Sequence, residues 1–175
     1  EIVKELPLAP LSLKVQENAW VVLRCGGVSY KLVGLAAEDF PAVVPTASPA
    51  WVSLDGKALK EMLGRTAFAM SHDESRYALN GVLLSVQPGR LRVVATDGHR
   101  LALASRALPN GAGSATGIVP RKAVQEVMRV LGAGEEVQVA LVENQFILRM
   151  PNFLLVARLI EGQFPNYEQV VPKGH

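Results

Sequence analysis

The chain has 175 residues, a formal charge of +2 and an apolar fraction of 49%, enough to fill a core in one or two domains. The near-balance of charge argues against a protein held on nucleic acid by its overall field, and no apolar run approaches the roughly 18 residues of a membrane span. Cys25 is the single cysteine, and no Cys/His cluster has metal-ligand spacing, so neither a disulfide framework, a metal site nor a cofactor is expected. The start of the chain lacks a basic-then-apolar leader, which points to a cytoplasmic protein.

The chain opens on a helical pattern, Glu1 to Leu6, without a methionine, which implies residues upstream in the intact protein. "EIVKEL" (1–6) lies over "EVMRVL" (126–131). Further on, Glu17-Asn18 meets Glu143-Asn144, Leu23-Arg24 meets Leu148-Arg149, and Phe40-Pro41 meets Phe164-Pro165. Four ordered matches at a nearly constant offset of about 125 residues read as a duplication. Residues 1–45 are then the C-terminal half of one copy and 46–172 a complete second copy. The stretch "PAVVPTASPA", with Pro41, Pro45 and Pro49, marks the boundary.

In the complete copy, "AWVSLD" (50–55) reads as a strand whose Asp55 caps a helix from Gly56 to Met70. Strands follow at Tyr77 to Val86, Leu91 to Thr96 and His99 to Ser105. Pro88-Gly89 joins the first two, and Asp97-Gly98, a type I′ signal, joins the last two. After the loop "NGAGSATG" (110–117) come a strand near Ile118 and a helix with Pro120 in its first turn and Gly132 past its end. Strands at Val137 to Val142, Gln145 to Met150 and Phe153 to Ile160 close the copy. The order is β-α-β-β-β twice, an α+β class.

Leu59, Met62, Leu63 and Phe68 can share a buried face of the first helix, leaving Lys57, Lys60, Glu61 and Arg65 outside. In the second, Val124, Val127, Met128 and Leu131 face inward and Arg121, Lys122, Gln125 and Arg129 outward, with Glu126 at the edge. Both outer faces carry a basic excess, suited to phosphate contact without sequence reading.

The stretch "VVATDGHRLALAS" (93–105) brings Asp97, His99 and Arg100 together. Catalysis there needs a nucleophile or metal and a partner orienting the histidine, and the sequence supplies neither at a recognisable spacing. A hydrolase using His99 and Asp97 therefore stands as the minor alternative. A peptide-binding module without DNA contact is another.

"SHDESRYALNGVLL" (71–84), "VVATDGHRLALAS", "IVPRKAVQEVMRVL" (118–131) and "EGQFPNYEQVVP" (161–172) together resemble the bacterial DNA polymerase III beta subunit, the sliding-clamp family. The resemblance implies the DNA clamp fold, with helices on an inner, DNA-facing side and antiparallel sheets outside. It further implies a three-domain subunit forming a head-to-tail homodimeric ring, a processivity factor without chemistry of its own. On this resemblance residues 1–45 match the second half of domain one, 46–172 match domain two, and 173–175 begin a linker to a third domain that is absent. Lys57, Lys60, Arg65, Tyr77, Arg121, Lys122 and Arg129 would face duplex DNA. Ala78 stands where a second aromatic is often found, and Asp73 where a neutral polar residue is more usual. Leu79, Thr96, Gly98, His99, Arg100, Leu101, Pro165, Gln169 and Val170 would form a pocket for short linear peptides from the polymerase, the clamp loader and repair polymerases. Gln169 replaces an arginine of some members. "VSYKLVGL" (28–35) would be the edge strand at the subunit interface, with Tyr30 and Leu32 as its apolar contacts.

Overall fold

The computed structural model describes residues 2–40, 49–73, 75–108, 113–132 and 134–172. Pro41, Pro45, Glu74, the first part of the 110–117 loop and the 173–175 linker lie outside the described residues. The chain divides into two compact units, residues 1–43 and 44–175.

The first unit is a three-stranded antiparallel meander of β1 (Leu11–Val15), β2 (Trp20–Cys25) and β3 (Val28–Val33), in the order β1-β2-β3. Asn18 and Ala19, with φ near 60°, turn the chain between β1 and β2, and Gly26 at φ 57° does so between β2 and β3. The helix expected over 1–6 is instead a short 3-10 segment, Ile2–Glu5. A single turn is too short to nucleate an α-helix, and Pro7 disfavours helical geometry at Leu6.

The second unit holds β4 (Val52–Asp55), α1 (Gly56–Gly64), β5 (Gly81–Gln87), β6 (Arg90–Thr96), β7 (Leu101–Ala107) and β8 (Ala115–Pro120), then α2 (Arg121–Val130), β9 (Glu136–Val142), β10 (Gln145–Met150) and β11 (Phe153–Arg158). The β-α-β-β-β order occurs twice, and the two halves exchange their first strands. β4 pairs with β9 to complete the sheet β11-β10-β9-β4, while β8 pairs with β5 to complete β7-β6-β5-β8. The β5–β8 pairing brings backbone against Gly81, where a Cβ would run into the Val119 carbonyl. Glycine is required there by space, not by dihedral freedom.

Both sheets and both helices share one core. Leu59 and Leu63 from α1 and Val124 and Val127 from α2 converge with Val82, Leu84, Val119 and Phe146. The helices touch directly, for Lys60 Nζ donates to the Leu131 carbonyl at the end of α2 at 2.7 Å. Asp55 caps α1 as expected, accepting from the Lys57 N–H at 2.9 Å.

The structure corrects four local expectations. α1 stops at Gly64 rather than Met70, because the buried Thr66 hydroxyl donates to the Met62 and Leu63 carbonyls and the chain continues as a 3-10 turn, Ala67–Ala69. Phe68 therefore leaves the core face and is 59% exposed. Tyr77–Leu79 is a 3-10 turn, and the strand begins only at Gly81, where the β8 partner becomes available. Between β6 and β7 the last pair is Thr96↔Leu101, so the loop has four residues; Gly98 alone has positive φ, 89°, and the turn is not type I′.

Candidate functional site

Turn chemistry builds the first wall of a cavity of about 620 Å³. Asp97 Oδ1 accepts the backbone N–H groups of His99 and Arg100, each at 3.0 Å, and Oδ2 accepts Arg100 Nε at 3.0 Å. The first two of these bonds, helped by the Arg100 side chain, hold the Asp97 carboxyl at about 2, well below its ordinary 3.8. Thr96, buried beneath the loop, donates to the Arg100 carbonyl at 2.7 Å and accepts the Gly98 N–H at 3.1 Å. Arg76 braces the loop from outside by donating to the Asp97 carbonyl at 2.8 Å. Arg100 also reaches the Phe68 carbonyl at 3.0 Å and lies over the Phe68 ring.

Residues 160–172 build the second wall. Ile160 joins the sheet through a single bridge to Ile118. The chain then passes Gly162 and Pro165 into a 3-10 turn, Tyr167–Gln169, whose Tyr167 carbonyl accepts the Val170 and Val171 N–H groups. Phe164 and Tyr167 pack with Leu101 and Ala78 around a small second core of Leu83, Val94, Ile118 and Ile160.

The cavity wall takes in Thr96, Gly98, His99, Arg100, Leu101, Pro165 and Val170 from the expected set. Leu79 and Gln169 are not part of it. Leu103, Asn166, Tyr167, Val171 and Pro172 line it as well, and sequence reading did not single them out; the alternation of Leu101 with Leu103 was the available signal for the first. Apolar side chains stand in solvent at this cavity, with Val170 69% and Leu103 39% exposed. Such a concavity, apolar with a few fixed polar groups, suits an apolar side chain on a short ligand. A second cavity of similar size lies behind the same segment, between β8 and residues 159–168, and shares Pro165, Asn166 and Tyr167 with the first.

Among the described residues Asp97 gives its oxygens to the backbone and to Arg100, an arrangement that braces the turn. Among the described residues no group of three or more His, Cys, Asp or Glu side chains could hold a metal ion, and no helix is long and apolar enough to cross a membrane.

The basic residues of the two helices are not equivalent. Lys60 is spent on the Leu131 carbonyl, and Arg121 donates to the Met70 and Ser71 carbonyls and meets His72. Arg65 lies 4.0 Å from Glu61, and Arg129 pairs with Glu126 at 2.5 Å. Lys57 and Lys122 are exposed and occupy the second position of their helices. Cations at that end oppose the helix dipole, so local stability does not explain them. Tyr77 is 61% exposed, and the neighbouring loop is closed by Asp73, which accepts the Ser75 N–H and hydroxyl. In the first unit Tyr30 (39% exposed) and the half-buried Leu32 lie on β3, one of the two edge strands.

The family model described as "DNA polymerase III beta subunit, central domain" matches residues 53–166. The beta sliding clamp of Pseudomonas putida is 39% identical over 178 aligned residues, covering 99% of this chain and 48% of its own length. The crystal structure of the DNA polymerase III subunit beta from Pseudomonas aeruginosa superposes with a TM-score of 0.83 at 36% identity, covering 99% of this chain and 48% of that one. A Pseudomonas aeruginosa sliding clamp bound to griselimycin gives a TM-score of 0.82 at 36% identity, with 99% and 47% covered. The chain thus spans about half the length of the curated relatives it matches.

Proposed function

Because this chain belongs to the family of the DNA polymerase III beta subunit, we propose that it works as part of a longer subunit that encircles duplex DNA and tethers the replicative polymerase, contributing no chemistry of its own. Residues 1–45 are assigned to the second half of a first domain and 46–172 to a second domain. The exposed Lys57 and Lys122, repeated at one position of the two helices, supply sequence-independent attraction for phosphates. Arg65, Arg129 and Tyr77 add to that face, whereas Lys60 and Arg121 serve it mainly by fixing the helices. Tyr30 and Leu32 on the β3 edge are assigned to the contact between subunits of a homodimeric ring, where strand-edge pairing would cover them. The site of action is the cytoplasm.

The observation that carries the client-binding part of this reading is the cavity between residues 96–103 and 165–172. It joins apolar walls from Leu101, Pro165 and Val170 to polar groups fixed by the Asp97 loop. A ligand side chain covering about 100 Å² of apolar surface there gains about 2.5 kcal/mol, while His99 and the loop backbone orient the chain that carries it. Short linear peptides of the polymerase, clamp loader and repair polymerases are the proposed occupants. A related clamp binds griselimycin, which makes that compound a usable probe. Calorimetric titration into this chain should give saturable binding, weakened roughly tenfold or more by Leu101→Glu, which sets a charge on the apolar wall. Equal affinity of the two proteins would overturn the pocket assignment.

A further inference from the structure

We propose that Arg92 and Glu168 form a tether that positions the second wall of the cavity, so that the pair governs how tightly a ligand is held without touching it. The proposal rests on the reading of that cavity as a ligand site.

Residues 161–172 belong to no strand, and a three-residue 3-10 turn is their single regular element. Such a segment holds its shape only where something fixes it. Its start is fixed by the Ile160 N–H donating to the Ile118 carbonyl at 2.8 Å. Its turn is fixed by Arg92, whose Nη1 lies 2.6 Å from Glu168 Oε1 and 3.3 Å from the Tyr167 hydroxyl. Tyr167 therefore has two roles, since it lines the cavity and also meets the arginine.

Arg92 comes from β6, an interior strand of its sheet. Strand alternation sets Arg92, Val94 and Thr96 on one face. Thr96 anchors the Asp97 loop, Val94 lies in the small core under Phe164 and Tyr167, and Arg92 holds the Tyr167–Gln169 turn. One rigid strand thus fixes the distance between both walls. The arginine side chain is only 20% exposed, whereas the glutamate is 64% exposed, so the carboxylate on the surface segment is drawn down onto a largely covered cation. Neither charged residue lines the cavity itself, which separates positioning from contact.

The test uses the 175-residue chain with griselimycin as the calorimetric probe and hydrogen exchange of the Val170 and Val171 amides in the free protein. Glu168→Gln should weaken binding roughly three- to fivefold, as expected for a partly exposed pair. Glu168→Arg and Arg92→Glu, which oppose like charges, should each weaken it roughly tenfold and speed exchange of both amides. The double exchange Arg92→Glu with Glu168→Arg should restore affinity and protection together, which loss of general stability would not do. Wild-type affinity in the single reversals, or no rescue in the double variant, overturns the tether. If the unsubstituted chain takes up no griselimycin, the cavity reading fails, and unchanged amide protection in Glu168→Arg then overturns the tether independently.

Discussion

Asp97 remains ionised far into the acid range because two backbone N–H groups, His99 first and Arg100 second, donate to one of its oxygens. A carboxylate whose folded value is depressed stabilises the fold above its unfolded value and loses that contribution as the pH falls through the folded one. Asp97→Asn should therefore lower stability near neutral pH, and the gap to the wild type should close as the pH drops from 3.8 towards about 2. Acid titration followed by circular dichroism of both proteins measures this; a gap unchanged across that window would show that the charge is irrelevant to the loop. The sequence reading recognised Asp97-Gly98 as turn chemistry but not the length of the turn. That length depends on Leu101 pairing with Thr96 and packing into the cluster of Val94 and Tyr167, and no local pattern encodes that choice.

At the level of elements, the two helices show how residues of one type divide between scaffold and surface. Arg121 spans from the start of α2 to the Met70 and Ser71 carbonyls that precede β5. Arg121→Gln should cost about 1–2 kcal/mol by leaving those acceptors poorly satisfied, measured by chemical denaturation. Lys57→Gln with Lys122→Gln should leave stability unchanged or raise it slightly, since both cations face the positive ends of helix dipoles. The same pair should weaken DNA association and flatten its dependence on salt in the full-length protein; retained affinity and slope would remove these lysines from the DNA-facing surface. The 3.6-residue pattern made both helices and their buried faces legible, including Val124 and Val127. It overran α1, because "TAFAM" continues apolar past Gly64, whereas the backbone leaves helical geometry at Thr66, whose buried hydroxyl donates to the Met62 and Leu63 carbonyls. Tyr77 to Leu79 misled in the same way: its composition favours a strand, but pairing with β8 begins only at Gly81, opposite Pro120.

Across the second unit, one continuous core joins both sheets to both helices. Leu84, 2% exposed in the middle of β5, contributes to all of it. Leu84→Ala should cost about 2–5 kcal/mol, and hydrogen exchange should accelerate together in β5–β8 and in β9–β11. Loss of protection in one sheet alone would show that the halves unfold separately. The repeated β-α-β-β-β order was readable from turn residues and periodicity. The exchange of first strands was not, because β4 and β8 would look the same in sequence whichever meander they joined.

That exchange orders events on the ribosome. The sheet of β5 to β8 closes between strands roughly 35 residues apart, whereas β4 must wait for β9, roughly 80 residues later. During synthesis β4 therefore emerges long before its partner exists, a nascent edge exposed until β9, Glu136–Val142, has been made. A pause or truncation before Glu136 would leave that orphan strand free to recruit a neighbouring polypeptide instead.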